Sequence, residues 1–326
     1  MKKVLLTTSA LVAFAGYAAA EVSFGGEVTV GYNDIEESGF YLEGELNITG
    51  TAEFDNGVAV EVTYGLDLYD GTFDDFPTVT VTTPWATLTV GEVEYAGTDM
   101  FAIVDGMNPG ADLREINEEM VARVDATFGG FSVGLSFDTN LFSTPFNNYP
   151  TNELSIGAMG EFGAFSFSAV YDDTNSMYGV QAGTSFGGFD ISVAYLASDA
   201  TGDDSIGIGL GTTFGNVGLA AYYAINNGNA DEFGVSADFT AGAASIAVWY
   251  EGVEGGVGED FGVDVEYAYN DNINLGAGYS DVDSFYVFGT MMVGDATIGV
   301  SYNDDGDGDQ DDDYKAGVDV WMTLPF

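Results

Sequence analysis

The sequence contains no cysteine and no histidine among its 326 residues. Without these side chains the chain cannot form disulfides, and zinc, copper or haem sites of the ordinary kinds have no ligands. A hydrolase with a serine nucleophile and a histidine base is excluded as well. Aspartyl catalysis needs two carboxylates in one desolvated pocket, and the distribution of acids gives no sign of one. We therefore expect no enzymatic activity and no tightly bound cofactor.

Basic residues are also scarce. The chain has five lysines and arginines against 53 acids, which gives a formal net charge of −48. Such a charge repels nucleic acid and attracts cations. Nucleic acid is therefore excluded as a partner. A phosphate-selective pore, which needs arginine or lysine, is excluded too.

Long apolar runs are missing apart from a short one near the N-terminus. Residues 1–20 place Lys2 and Lys3 before this run and close on "YAAA" ahead of Glu21. This pattern is typical of a secretory signal peptide and is too short for a membrane anchor. We therefore expect an exported chain. Residues 21–326 should form one domain, because no linker divides them.

The sequence is rich in alternating apolar and polar residues. In "SGFYLEGELNITGTAEF", residues 38–54, the alternation lasts well beyond the usual five to six residues of a soluble strand. A strand that crosses a bilayer needs about nine to eleven residues. We therefore place the apolar row in lipid and the glutamates in a water-filled interior. A soluble all-β sandwich is the alternative, but it would seldom combine so many apolar positions with so polar a second face.

Connections between the alternating segments are of two kinds. Tight turns rich in glycine, asparagine and aspartate, such as "DNG" at residues 55–57, alternate with connections that are usually longer and polar. This asymmetry is typical of outer-membrane barrels. The sequence thus predicts an all-β fold, a transmembrane antiparallel up-and-down β-barrel. Its strand number should be even, about 16 to 20, and our count gives 20.

The last predicted strand, "YKAGVDVWMTLPF", places Met322, Leu324 and Phe326 on one parity. Together with the signal peptide and the mature start "EVSFGGEVTVGY", it resembles the general porins of Gram-negative outer membranes. The alphaproteobacterial, Rhodobacter-type branch is the nearest match, although Pro325 departs from its usual pattern. The resemblance implies a homotrimer embedded in outer-membrane lipid. It also implies that Met322, Leu324 and Phe326 form the signal read by the barrel-assembly machinery.

A long segment without alternation, residues 96–120, follows the fifth predicted strand. A segment of this length in a compact fold is functional or marks misassigned elements. The resemblance implies a constriction loop that folds into the barrel and narrows the pore; an external loop that covers the rim is the alternative. We expect "ADLREINEE" to form a short helix. We expect these apolar residues to pack on the inner wall: Met100, Phe101, Ile103 and Val104. The candidate pore-lining charges of the loop are Asp99, Asp105, Asp112, Arg114, Glu115, Glu118 and Glu119.

The polar parity of the strands gives a candidate pore wall. Its charged residues are Glu27, Glu43, Glu45, Glu61, Asp67, Arg123, Asp125, Lys315 and Asp319. The resembled porins usually set loop acids against a basic cluster, but here only Arg123 and Lys315 are available on the wall. Each of these bases either neutralises one neighbouring carboxylate or belongs to an organised basic ladder. Because rings of aspartate and glutamate select cations, the excess of acids predicts a cation preference that weakens with salt.

The run "DDGDGDQDDD", residues 304–313, has the acid spacing of a calcium-binding hand loop. Gln310 replaces its glycine and Ala316 its glutamate, so the motif fails. We retain Asp305, Asp307 and Asp309 as a weak calcium site, with a solvated charge run as the alternative. The sequence as a whole predicts a porin for passive diffusion of small hydrophilic solutes and ions. The alternative is a non-conducting structural or adhesive barrel with acidic, cation-binding loops.

Overall fold

The computed structural model describes residues 18–35, 39–68, 76–116, 119–139, 154–255, 258–281, 284–304 and 315–326. These residues form one sheet of twenty antiparallel strands. The strands are β1 Ala18–Asn33, β2 Phe40–Phe54, β3 Ala59–Asp67, β4 Thr78–Thr82, β5 Ala86–Gly91, β6 Val121–Phe128, β7 Phe131–Asp138, β8 Leu154–Phe162, β9 Phe165–Asp172, β10 Met177–Phe186, β11 Phe189–Ser198, β12 Asp203–Phe214, β13 Val217–Asn227, β14 Glu232–Ala241, β15 Ala244–Val253, β16 Asp260–Asn270, β17 Ile273–Ser280, β18 Ser284–Val293, β19 Ala296–Asn303 and β20 Gly317–Pro325.

Each strand pairs with its neighbours in sequence, and β1 pairs with both β2 and β20. The sheet therefore closes on itself, and the predicted barrel with its count of twenty strands is confirmed. Closure continues to the last residue, because the Phe326 amide donates to the Gly26 carbonyl at 2.9 Å. In return, the Gly26 amide donates to the Phe326 carbonyl at 3.2 Å. A closed barrel satisfies the backbone groups that an open sheet edge would leave unpaired.

Alternation along each strand separates an outer and an inner face. On β7 the apolar residues Phe131, Val133, Leu135 and Phe137 are 39–46% exposed, whereas Ser136 between them is fully buried. The same outward apolar row continues around the barrel and includes Met322, Leu324 and Phe326. An apolar surface of this extent requires lipid or another protein as its surroundings.

Short turns join the strands at one end of the barrel, as predicted. Gly129 and Gly130 link β6 to β7 with φ values of 58° and 91°. Glycine adopts this left-handed region without the steric penalty of a side chain, which is why it dominates two-residue hairpins. The predicted signal peptide lies largely outside the described residues, and its last three residues, 18–20, belong to β1.

A helix of five residues, α1 Ala96–Met100, opens the segment between β5 and β6. The short helix expected in "ADLREINEE" is absent from the described part of that stretch, residues 111–116 and 119. Two backbone carbonyls there accept from side chains: that of Arg114 from Thr98 Oγ1 at 2.6 Å, and that of Asp112 from Asn175 Nδ2 at 3.0 Å. These two carbonyls therefore accept hydrogen bonds from distant side chains and not from backbone amides of a helix. Among the described helical residues, none forms a helix long and apolar enough to cross a membrane.

Candidate pore lining and inner segment

The described residues of the segment between β5 and β6, 92–116, 119 and 120, lie against the inner face of the barrel; we call them the inner segment. The Ala96 amide donates to Ser136 Oγ on β7 at 2.9 Å. The Gly97 amide donates to Ser155 Oγ on β8 at 3.1 Å. Both serines lie on the face opposite the exposed apolar row. The start of the inner segment is therefore bound to the interior of the barrel.

The contacts continue along the next strands. The Ala102 amide donates to Ser168 Oγ on β9 at 3.1 Å. On β13, Asn226 Oδ1 accepts a hydrogen bond from the Asn108 amide at 2.8 Å, and Asn226 Nδ2 donates to the Gly106 carbonyl at 2.9 Å. The inner segment thus crosses the wall from β7 to β13. We call β6–β13 the docking wall.

Apolar residues of the inner segment pack where the docking wall has glycine. Phe101, Val104 and Met107 are each less than 9% exposed. A methyl group in place of the Gly207 hydrogen would lie only 2.6 Å from Met107 Sδ, so glycine at this position permits the close approach. The expectation that Ile103 packs on the wall is wrong. Ile103 is 49% exposed and lines an open cavity, because Phe101 and Val104 are the residues of this stretch that turn toward the wall and are buried.

Arg123 on β6 fastens the first turn of the inner segment. Its guanidinium forms ion pairs with Asp99 of α1 and, through Nε at 2.9 Å, with Asp125 on its own strand. Nη1 also donates to the Glu94 carbonyl at 3.0 Å. The Arg123 side chain is only 9% exposed. Both acids predicted to line the pore here are therefore engaged by one buried base.

Arg114 stabilises the C-terminal part of the inner segment, where the chain approaches β6. Its Nη2 lies 2.7 Å from Glu119 Oε2 and 3.5 Å from Asp138 Oδ2. Its guanidinium carbon lies 4.6 Å from the centre of the Tyr95 ring, and the Tyr95 hydroxyl donates to Glu119 at 2.8 Å. Burial, followed by this hydrogen bond, raises the pKa of the Tyr95 hydroxyl, which therefore stays protonated and continues to donate.

Lys315 occupies the opposite side of the barrel. Its Nζ lies 2.6 Å from Glu43 Oε1 and 3.6 Å from the centre of the Tyr41 ring. The Tyr41 hydroxyl in turn donates to Asp319 at 2.9 Å. Arg114, Arg123 and Lys315, the bases within the described ranges, are thus each bound to a carboxylate. This is the arrangement of local neutralisation, not of a basic ladder.

The remaining predicted wall acids lie on the inner face. Glu27, Glu45 and Asp67 stand in register on β1, β2 and β3, with like charges side by side. Glu61 lies on the same face of β3 as Asp67. On the inner segment Asp105, Asp112 and Glu115 are exposed. The predicted residues outside the described ranges are Glu118, Asp305, Asp307 and Asp309. In the described part of the chain, no group of acids has the geometry of a metal site.

Aromatic side chains line the other half of the interior, a feature that the sequence analysis missed. We call strands β15–β20 and β1–β3 the bare wall, because they lie across the lumen from the docking wall. Each of its inward aromatic rings covers a glycine of a neighbouring strand, where a Cβ would collide with the ring. The pairs are Tyr41 over Gly31, Trp249 over Gly262, Tyr286 over Gly278, Phe288 over Gly276 and Trp321 over Gly299. Glycine and aromatic residues sharing the polar parity are the signal that could have revealed them.

A family model described as Gram-negative porin matches residues 7–260. A solved structure of a triple mutant of Rhodopseudomonas blastica porin is 14% identical, with a TM-score of 0.46, and the match covers 94% of this chain and 100% of that one. A structure described as "Asymmetric conductivity of engineered proteins" is also 14% identical, with a TM-score of 0.47 and the same coverage. No curated protein matches the chain.

Proposed function

The chain belongs to the family of Gram-negative porins, and on this premise we propose that it forms a cation-preferring, water-filled channel for small hydrophilic solutes. The family places it in the outer membrane of a Gram-negative bacterium and supports a channel rather than an enzyme. One observation carries the proposed preference: each described base is already bound to a carboxylate, whereas many acids remain on the inner face.

The inner segment is the proposed constriction. It crosses the docking wall from β7 to β13, and the exposure of its acids Asp105, Asp112 and Glu115 supports a role for them in lining the narrowed lumen. At physiological salt the Debye length is about 8 Å, so carboxylates at a narrow point act most strongly on passing ions. In dilute medium the Debye length is about 30 Å at 0.01 M, and the remote wall acids contribute as well.

We also propose that the porin is a homotrimer, as the resemblance implies. Support comes from β4 and β5, which have only five and six residues. A strand needs about nine to eleven residues to cross a bilayer, so this part of the outer surface is better covered by protein than by lipid. The outward row of Met322, Leu324 and Phe326 supports the proposed assembly signal.

The test is the reversal potential of the purified protein in a planar bilayer under a KCl gradient, at low and high salt. We expect a strong cation preference that fades as salt rises, and a weaker preference in the double variant Asp112→Asn with Glu115→Gln. Asp55→Asn, in a short turn away from the inner segment, is the matched control and should leave the preference unchanged. Conductance without cation preference would refute the proposed role of the acids. An absence of conductance would favour a structural barrel.

A further inference from the structure

A cavity of about 740 Å³ lies between the tip of the inner segment and the inner faces of strands from β8 to β15. Its lining contains four acids and neither lysine nor arginine; the acids are Asp105, Glu161, Asp190 and Glu251. Three aromatic residues, Phe165, Tyr222 and Trp249, belong to the same lining. Phe165 lies in the outward row of β9, so Tyr222 and Trp249 are the rings of the inner face. The site therefore combines negative charge with aromatic rings.

Trp249 is held rigidly in this cavity. One part of its ring covers Gly262, and its Nε1 donates to Asp260 Oδ2 at 3.2 Å. Glu251 lies two residues further along β15, so its carboxylate is on the same face of the strand as the Trp249 ring. Asp105 comes from the inner segment. A ligand in the cavity thus meets a fixed aromatic ring and carboxylates from two elements.

The bare wall already binds one organic ammonium group of its own. Lys315 Nζ lies over the Tyr41 ring at 3.6 Å from the ring centre, and Glu43 Oε1 is 2.6 Å away. The aromatic ring and the carboxylate here come from alternate positions of one strand, β2, as do Trp249 and Glu251 on β15. In the cavity no lysine or arginine of the lining fills the corresponding place.

We propose that this cavity is a binding subsite for small organic ammonium cations. The inference deepens the proposed function and rests on it, because the same acids favour cations in general. A potassium ion interacts with the carboxylates through its hydration shell. An alkylated ammonium group carries its charge on a weakly hydrated apolar surface, so it also gains from contact with the aromatic faces. Organic cations should therefore dwell in the channel longer than potassium does.

The experiment uses the purified channel in a planar bilayer, with choline chloride as the probe and potassium as the current carrier. We expect choline to reduce the potassium current in a saturable way. The neutral isostere 3,3-dimethyl-1-butanol should not do so at equal concentration, because it has the shape without the charge. Equal reduction by both compounds, or a reduction that never saturates, would overturn the proposal.

Variants separate the aromatic contribution from the general field. Trp249→Leu should raise the half-blocking choline concentration by roughly three- to thirtyfold, the loss expected for one cation–π contact. Trp249→Phe keeps a ring and should retain most of the block. Trp321→Leu is the matched control, since Trp321 also covers a glycine on the bare wall but does not line the cavity.

The outcomes distinguish the two proposals. If the unmodified channel lacks a preference for potassium over chloride, the proposed function itself is wrong. If that preference is present and Trp249→Leu behaves like Trp321→Leu, only the ammonium subsite is refuted. Insertion of each variant as a conducting channel shows that the barrel has folded.

Discussion

The docking wall and the bare wall both carry glycine on the inner face, but different groups pack against it. On the docking wall, glycine and serine leave room for the inner segment, whose amides bind Ser136 and Ser155 and whose side chains reach Gly207. On the bare wall, aromatic rings from neighbouring strands cover the glycines, as Trp321 covers Gly299. A small side chain on the inner face of a barrel strand therefore marks a close contact, and its partner is either the inner segment or an aromatic ring of the wall.

The largest expected effect comes from removing the buried base of the docking wall. Arg123→Ala leaves Asp99 and Asp125 without their common partner and should weaken docking of the inner segment by about 3 kcal/mol. The measurement is open-channel noise and single-channel conductance, both of which should rise. Lys315→Ala is the matched control, because its ion pair with Glu43 is more exposed and should be worth less than about 1 kcal/mol. Equal noise in the two variants would contradict the docking role of Arg123.

A smaller effect should follow from adding one methyl group on either wall. Gly157→Ala would drive a Cβ into the Ala96 carbonyl oxygen, a backbone atom that cannot turn aside. We expect a cost of about 1–3 kcal/mol to docking and a changed conductance. Gly299→Ala would instead meet the Trp321 ring, and should alter tryptophan fluorescence while leaving channel noise unchanged. If both variants changed the noise, the distinction between the two walls would fail.

The smallest effect should come from a single hydrogen bond. Ser136→Ala removes the acceptor of the Ala96 amide and should cost about 1 kcal/mol. Hydrogen exchange at the Ala96 amide should accelerate roughly fivefold, as expected for that free energy. Ser132→Ala, on the same face of β7 but bonded to Thr127, is the control. Unchanged exchange at Ala96 in Ser136→Ala would show that this bond does not hold the inner segment.

The elements that sequence predicted well are those encoded locally. Alternation in residues 38–54 gave the two faces of β2, and paired glycines such as Gly129 and Gly130 marked the turns. The prediction of a helix in "ADLREINEE" was wrong because contacts with distant residues determine the conformation of this stretch. Its local pattern is helical, but the carbonyls of Asp112 and Arg114 take distant side-chain donors instead. The pairing of Arg114 with Asp138 likewise joins residues that no local pattern connects.

The sequence alone determined the alternation, the turn positions and the excess of acids, because side-chain parity and turn chemistry depend on a few consecutive residues. Tertiary structure decided which glycine meets a loop and which meets a ring. It also decided which carboxylates Arg123 and Lys315 neutralise. The ring–glycine contacts depend on the register between neighbouring strands of the closed barrel. The ion pairs of Arg123 with Asp99 and of Lys315 with Glu43 join elements that are separate in the chain, so no local pattern predicts them.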